Sequence, residues 1–179
     1  MRIISGKYKG KNLKAPKNNS IRPTTNFAKE ALFNILNNRF YFDNLSVLDL
    51  CCGIGSISFE FASRGCTQIT AVDQQSGTLR FINSTAKQLD FNIRTIKSDM
   101  FKYLEKTPER FDIIFCDPPY RFTGNQFKHM VEITFSRNLL DTESLLIIEH
   151  SKHTCLSELP HFENSKKYGD SMFSFFSKK

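Results

Sequence analysis

No stretch of this 179-residue sequence is apolar for long enough to cross a bilayer, since a helical span needs about 20 apolar residues. No charged leader followed by an apolar run and a small-residue cleavage site stands at its start, so secretion is not expected. The five cysteines, Cys51, Cys52, Cys66, Cys116 and Cys155, are odd in number and never fall at CxxC spacing. That pattern argues against a disulfide framework or a zinc ribbon, predicts no metal site, and suits a reducing cytoplasm. Internal repeats and long linkers are also missing, and the length suits one domain with a sizeable core. One further absence is local. Residues 1 to 29 contain Arg2, Lys7, Lys9, Lys11, Lys14, Lys17, Arg22 and Lys29 but neither Asp nor Glu. On a chain of net charge +7, such a basic arm is either a solvated tail or an electrostatic footprint for phosphates. Ile3, Ile4, Tyr8 and Leu13 interrupt its charges, and Gly6 and Gly10 supply turns, so a small β-hairpin is predicted.

Beyond the arm the sequence is strongly patterned. Ala28, Ala31, Leu32, Ile35 and Leu36 recur at helical spacing behind Thr25 or Asn26 as N-cap. Short apolar runs then appear at Val47–Leu50, Ile69–Val72, Ile93–Ile96, Phe111–Cys116 and Leu145–Ile148. Continuous runs of this kind suit strands buried on both faces. Helical stretches lie between them, at Ser56–Arg64, Gln75–Leu89 and Gln126–Arg137. Alternating strands and helices imply βαβ units and a mostly parallel sheet. Phe162–Tyr168 and Ser171–Phe176 flank Gly169-Asp170 and predict a closing hairpin.

The first strand runs into Asp49-Leu50-Cys51-Cys52-Gly53-Ile54-Gly55-Ser56. Two glycines between a strand and a helix let the backbone turn tightly beside a ligand. The third glycine of a dinucleotide site is missing, so a nicotinamide cofactor fits poorly. Asp73 ends the second strand, 24 residues after Asp49, where a carboxylate can accept from ribose hydroxyls. Asp99, followed by Met100, ends the third strand, and Asp117 the fourth. Any one of these acids is as readily a helix cap. In succession, with a glycine turn after the first, they point to a shared crevice at the carboxyl edge of the sheet.

Asp117-Pro118-Pro119-Tyr120 is the most informative tetrapeptide. Its prolines fix two φ angles and cannot continue a central strand, which makes a rigid turn. Such a turn presents a carboxylate, a carbonyl and an aromatic face to one planar ligand. That arrangement suits methylation of an exocyclic base amine, whose delocalised lone pair makes it a poor nucleophile in need of orientation. Asp117 or a water would take the proton, and Tyr120 would stack on an unpaired base.

With these motifs in place, the chain resembles the class I S-adenosylmethionine-dependent methyltransferases. More narrowly, it resembles the bacterial enzymes that methylate guanine N2 in small-subunit (16S) ribosomal RNA. The specific part is Arg2-Ile3-Ile4-Ser5-Gly6-Lys7-Tyr8-Lys9-Gly10 with Arg22-Pro23-Thr24-Thr25 and Glu30-Ala31-Leu32-Phe33-Asn34-Ile35-Leu36. Ser63-Arg64-Gly65 and Tyr168-Gly169-Asp170 extend it. The resemblance implies a Rossmann-like α/β fold, with a seven-stranded, mostly parallel sheet and an antiparallel last strand. Residues 1–24 would be a basic hairpin extension and 25–179 the methyltransferase domain. Asp49, Gly53 and Gly55 would line the methionine part of the cofactor, Asp73 its ribose, and Asp99 and Met100 its adenine. The amine would meet Asp117 and Pro118, with Pro119 and Tyr120 completing the catalytic turn. Arg2, Lys7, Lys9, Lys11 and Arg22 would contact RNA, free or in an assembly particle, and the enzyme would be a cytoplasmic monomer. Cys51-Cys52 stand where the family more often has an aromatic residue followed by Ala, and Ile54 replaces a smaller residue. Two alternatives remain at this point: an adenine-N6 methyltransferase acting on RNA or DNA, and a non-catalytic RNA-binding module on the same fold. A protein-glutamine methyltransferase fits less well, because Asp117 stands where those enzymes generally carry Asn. Glu149-His150 follows a strand and could line the crevice, with a surface or satisfied-core place as the default, and none of the four histidines receives a role.

Overall fold

The computed structural model describes residues 1–14 and 24–178, which leaves Lys17 and Arg22 of the basic arm outside the described residues. Seven strands form one sheet in the order β3-β2-β1-β4-β5-β7-β6. They are β1 (Ser46–Leu50), β2 (Gln68–Asp73), β3 (Ile93–Lys97), β4 (Phe111–Cys116), β5 (Leu140–Ser151), β6 (Phe162–Tyr168) and β7 (Ser171–Phe176). The first five run parallel, and β7 pairs antiparallel with both β5 and β6. The closing hairpin thus delivers β7 to the edge of β5 and leaves β6 outermost. Strand β5 starts earlier than its apolar run predicts. Its first residues bend through a left-handed Glu143, with φ of 71°, before the regular pairing Ile113–Leu145 begins.

Helices α1 (Asn26–Asn37), α2 (Ser56–Ser63) and α3 (Ser76–Leu89) cover one face; α4 (Met100–Lys106) and α5 (Gly124–Ser136) cover the other. The period of two along a strand separates the faces. Val47, Ile113, Phe115 and Ile147 pack under the first group, while Leu48, Ile114, Leu146 and Ile148 pack under the second. Thr25 caps α1 by accepting the Ala28 N–H at 3.2 Å. Helix α4 has no strong apolar period to announce it in the sequence; its start is fixed by the Asp99 side chain, which accepts from the N–H groups of Phe101 and Lys102.

Every residue of α2 is buried, including Ser58, Glu60 and Ser63. A helix buried all round needs cover on its outer side, and the N-terminal arm supplies it. Glu60 accepts from the backbone N–H of Ile4 at 2.8 Å and of Ser5 at 3.0 Å, and from Arg64 Nε at 2.9 Å. Lys29 Nζ lies 3.5 Å from Glu60 and donates to the Arg2 carbonyl at 2.7 Å and to Ser56 Oγ at 3.2 Å. Gly6 lies so close to the end of α2 that a Cβ there would stand 1.8 Å from the Ser63 carbonyl oxygen. Its φ of +81° is also one that side chains disfavour. The arm's backbone groups are shared between α2 and the arm itself. The predicted hairpin is present in short form: an antiparallel bridge between Arg2 and Asn12 is flanked by Ile3 N–H to the Lys11 carbonyl at 3.0 Å and Leu13 N–H to the Met1 carbonyl at 2.8 Å.

This packing corrects the place of Lys29 in the basic footprint. At 1% exposure it cannot meet a phosphate; its ammonium is consumed internally, and burial lowers its pKa against the opposing pull of Glu60. Because breaking a buried pair leaves an uncompensated charge, Glu60→Gln is expected to destabilise the chain by about 3 kcal/mol. Urea denaturation followed by circular dichroism measures this, and a midpoint equal to that of the parent protein would contradict the role given to Glu60.

Candidate active site

The strand period that sorts the core also gathers acids. Asp49, Asp73, Asp117 and Glu149 share the parity of Val47, Ala71, Phe115 and Ile147, so all four fall on the α1–α3 side at the carboxyl ends of their strands. β1 lies where the strand order reverses direction, between β2 and β4. Open α/β sheets place their ligands at such a switch point.

On the β1–β2 side the turn after Leu50 is built from left-handed residues: Cys51 at φ 55°, Gly53 at 51° and Gly55 at 75°. A Cβ on Gly55 would press within 2.9 Å of Ile82 on α3, so glycine here permits close packing of helix on loop. The Cys51 thiol lies 3.6 Å from Met100 Sδ, which ties this turn to the start of α4. Asp73 accepts from the Gly53 N–H at 2.9 Å and from the Gln75 N–H at 2.8 Å, joining the glycine turn to the end of β2. Asp49 is buried and accepts both the N–H and the hydroxyl of Ser58, at 3.1 and 2.5 Å. Burial pushes its carboxyl up to about 7, the two Ser58 bonds oppose this, and the Asp73 charge adds to it. Asp99 caps α4 and also accepts from the Gln74 amide at 2.9 Å, so it is a helix cap that borders the same loop.

On the β4–β5 side Asp117-Pro118-Pro119-Tyr120 leaves the sheet. Pro118 is buried, Pro119 is exposed, and the Pro119 carbonyl accepts the Phe122 N–H at 2.8 Å to close the turn. Tyr120 is 76% exposed at the mouth of a small pocket whose walls include Asp117, Phe122, Phe127, Glu149 and Ser171. Cys116 pairs with Ile148, so Asp117 and Glu149 are neighbours one residue further along. Burial raises Asp117 well above the usual carboxylate range, and the charges of Glu149 and Asp49 raise it further. Burial also raises Glu149, but hydrogen bonds from Thr24 and Ser171 oppose the rise; the Thr24 hydroxyl is 2.7 Å from its Oε2. In this carboxylate pair the hydroxyl donors favour the charge on Glu149 and the proton on Asp117.

Sequence reasoning allows that Glu149-His150 could line the crevice but defaults to surface or core; both border the pocket. A carboxylate ending a continuous apolar strand, beside a strand that ends in Asp117, is the signal that could have found Glu149. His150 points to the other face. Its Nδ1 lies 2.9 Å from the Ser151 carbonyl and its Nε2 2.7 Å from Ser174 Oγ, and burial lowers its pKa, which makes it a satisfied core histidine.

The described residues of the basic arm stand apart from the acids. Arg2, Lys7, Lys9 and Lys11 are exposed. Lys7 and Lys11 flank the Tyr8 ring at 5.5 and 5.6 Å, and that ring meets Phe91 edge-on beyond the end of α3. Because Gly6 and Lys7 contact Ser63, this basic turn lies at the opposite end of α2 from the glycine loop, about 12 Å away along an eight-residue helix. Arg22 lies outside the described residues.

Comparison with known proteins follows the same outline. The family model described as conserved hypothetical protein 95 matches residues 1–177. Ribosomal RNA small subunit methyltransferase D of Buchnera aphidicola subsp. Baizongia pistaciae is 31% identical, over 83% of this chain and 75% of its own. A hypothetical protein of Thermus thermophilus superposes with a TM-score of 0.85 at 25% identity, covering 99% of each chain. A 16S rRNA N2-guanine methyltransferase of T. thermophilus, solved with AdoMet and guanosine, has a TM-score of 0.66 at 18% identity over 87% of this chain and 44% of its own. Together these matches give the chain the class I methyltransferase fold.

The buried Asp49 has a measurable consequence. A carboxyl whose folded pKa exceeds its unfolded value keeps its proton only in the folded chain between the two. Its stabilising contribution is complete below about pH 4 and is lost as pH rises toward 7. Asp49→Asn is therefore expected to flatten the decline of thermal stability between about pH 5 and 7, by about 1 kcal/mol per pH unit. Calorimetry across that range tests this; parallel profiles for the two proteins would rule it out.

Proposed function

The chain belongs to the family described as conserved hypothetical protein 95, and on that premise we propose that it methylates the exocyclic N2 amine of a guanine in small-subunit ribosomal RNA, with S-adenosylmethionine as donor. One observation carries this reading. The glycine turn beside Asp49 and Asp73 and the rigid turn at Asp117 open on the same face of adjacent strands, so two ligands can meet between them.

The residues present fit the cofactor. The side chains gathered at this edge are carboxylates, and a cationic sulfonium relieves their crowded charge where an anionic pyrophosphate would add to it. Asp49, Gly53 and Gly55 hold its methionine part, Asp73 its ribose, and Asp99 and Met100 border its adenine. When bound, it supplies a methyl group already activated on sulfur.

The protein's part is then mostly positioning. Hydrogen bonding to Phe122 occupies the Pro119 carbonyl, so the Pro118 carbonyl and the Asp117 carboxylate are the acceptors for the two amine hydrogens. Holding both turns the nitrogen lone pair toward the methyl. As the N–C bond forms and the C–S bond breaks, the nitrogen must shed one proton, and Asp117, directly or through water, receives it. Tyr120 stacks on the base, which the walls at Phe122 and Phe127 enclose. Arg2, Lys7, Lys9 and Lys11 track RNA phosphates at the far end of α2, several nucleotides from the target, and Arg22 belongs to the same proposed path. The related rRNA methyltransferase from Buchnera supports this substrate class.

Mass spectrometry of nucleosides from ribosomal RNA incubated with the protein and labelled cofactor should find the label in N2-methylguanosine. Label in N6-methyladenosine, or in none, would refute the reading. Asp117→Ala should abolish turnover while calorimetric affinity for S-adenosylmethionine stays within about twofold of the parent. Turnover of the unaltered protein should rise as pH passes above the ordinary carboxylate range, because Asp117, whose pKa burial raises, must release its proton before it can accept the amine's.

The arm calls for a gentler test than deletion, since Ile3 and Leu13 are core residues and Glu60 would lose its partners. Combined Lys7→Ala, Lys9→Ala and Lys11→Ala should weaken RNA binding and reduce the slope of log K against log salt by about 2, at about 0.7 per lost phosphate contact. An unaltered slope would make the arm a structural cover only.

A further inference from the structure

Asp117 and the Pro118 carbonyl would orient any exocyclic amine on an aromatic ring, guanine N2 and adenine N6 alike. The two bases differ at the ring nitrogen beside that amine. Guanine N1 carries a hydrogen and donates, whereas adenine N1 is a bare acceptor. We propose that Glu149 reads this nitrogen: its carboxylate accepts the N1–H of the target guanine and thereby excludes adenine. The inference rests on the guanine-N2 reading above and deepens it.

Four features of the site support this role. Glu149 adjoins Asp117 across the β4–β5 pair, one residue past Cys116–Ile148. Neighbouring strands stand about 4.8 Å apart, so the two carboxylates can engage neighbouring N–H groups on one base edge. Both acids line the pocket whose mouth carries Tyr120. The Glu149 carboxylate is also fixed: it is 6% exposed, and Thr24 donates to Oε2 at 2.7 Å. The Thr24 and Ser171 donors favour its ionised form against the burial that raises its pKa; in that form it accepts at about four lone-pair positions, which leaves acceptor capacity for the base and no hydrogen to offer an adenine N1. Finally, a buried carboxylate facing the adenine lone pair would lose its solvation without a partner, which is the situation that produces strong discrimination.

The fixing hydroxyl has a further meaning. Thr24 stands at the start of α1, two residues past Arg22 in the chain. The residue that reads the base is therefore held by the segment that carries the arm.

The test uses 2,6-diaminopurine, which keeps the 2-amine of guanine but replaces N1–H by an acceptor and the 6-carbonyl by an amine. The change of preference on substituting Glu149, and not the preference by itself, therefore reads the N1 contact. Small-subunit ribosomal RNA is joined by splinted ligation so that guanosine or 2,6-diaminopurine riboside occupies the nucleotide where label is found. The unaltered protein is expected to favour guanosine in kcat/KM by at least about 100-fold. Glu149→Gln offers an amide hydrogen to the purine acceptor, and the preference should fall at least tenfold, mainly through faster reaction of the analogue. Thr24→Val leaves the carboxylate in place and removes one of its two hydroxyl donors; it should lower the preference by a smaller factor with unchanged cofactor affinity. A preference that neither substitution alters would overturn the assignment of Glu149, and Thr24→Val decides the matter should Glu149→Gln fail to bind cofactor. Label on adenine, or on no base, in the unaltered protein would instead remove the parent reading. The two failures are thus seen in different proteins.

Discussion

The buried carboxylate of Glu60 is the contact on which the rest of this structure depends. It is fully enclosed, and it is made tolerable by two backbone N–H groups from the arm, the Arg64 guanidinium and the Lys29 ammonium. Its partners come from the arm, from α1 and from the end of α2, so one side chain fastens the arm to α2 and α2 to α1. α2 begins at the glycine turn, and Asp49 is held by Ser58 in the first turn of that helix. The position of the glycine turn is thus inherited from a charge cluster on the opposite flank of the same helix.

A second constraint is the concentration of acids at the carboxyl edge. Period-two alternation along four strands places Asp49, Asp73, Asp117 and Glu149 on one side, and burial raises three of them. The protein tolerates this through donors aimed at these carboxylates: Ser58 for Asp49, Gly53 and Gln75 for Asp73, and Thr24 for Glu149. What remains is an environment that favours a cation and N–H donors over phosphates. Lys7, Lys9 and Lys11 are kept at the other end of α2. Charge of each sign is separated along one short helix, the acids near its start and the basic turn near its end.

Much of the layout was legible because it rests on local rules. The apolar runs marked β1, β2, β4 and β5, and Gly169-Asp170 marked the hairpin, since a strand buried on both faces must be continuously apolar and a tight turn needs residues suited to it. β3, a half-exposed edge strand with Arg94 and Thr95 inside it, was marked by Ile93 and Ile96 alone. Asp49, Asp73 and Asp117 stood out because a strand end followed by a turn is a local signal. Helix α4 stayed hidden because its seven residues bury only Met100, Tyr103 and Leu104, too few to establish a period. The true role of Lys29 was hidden because its partners, Glu60 and the Arg2 carbonyl, lie 31 and 27 residues away in the chain. Glu149 escaped for a related reason: what makes it notable is Asp117 on the adjacent strand and Thr24 at a sequence distance of 125 residues. Spacing within a motif cannot reveal a contact that only the sheet creates.

The docking of the arm also says something about the order in which the molecule comes together. Ile4 and Ser5 are made before their partner Glu60, which follows 56 and 55 residues later. The other end of the arm, at Thr24, waits for Glu149, and β5 itself is flanked by β7 from the last residues described. Contacts so distant in sequence form only after the chain has lost most of its freedom. Ile4, Ser5 and Thr24 are therefore made before their partners but fixed only once α2 and β5 have been built.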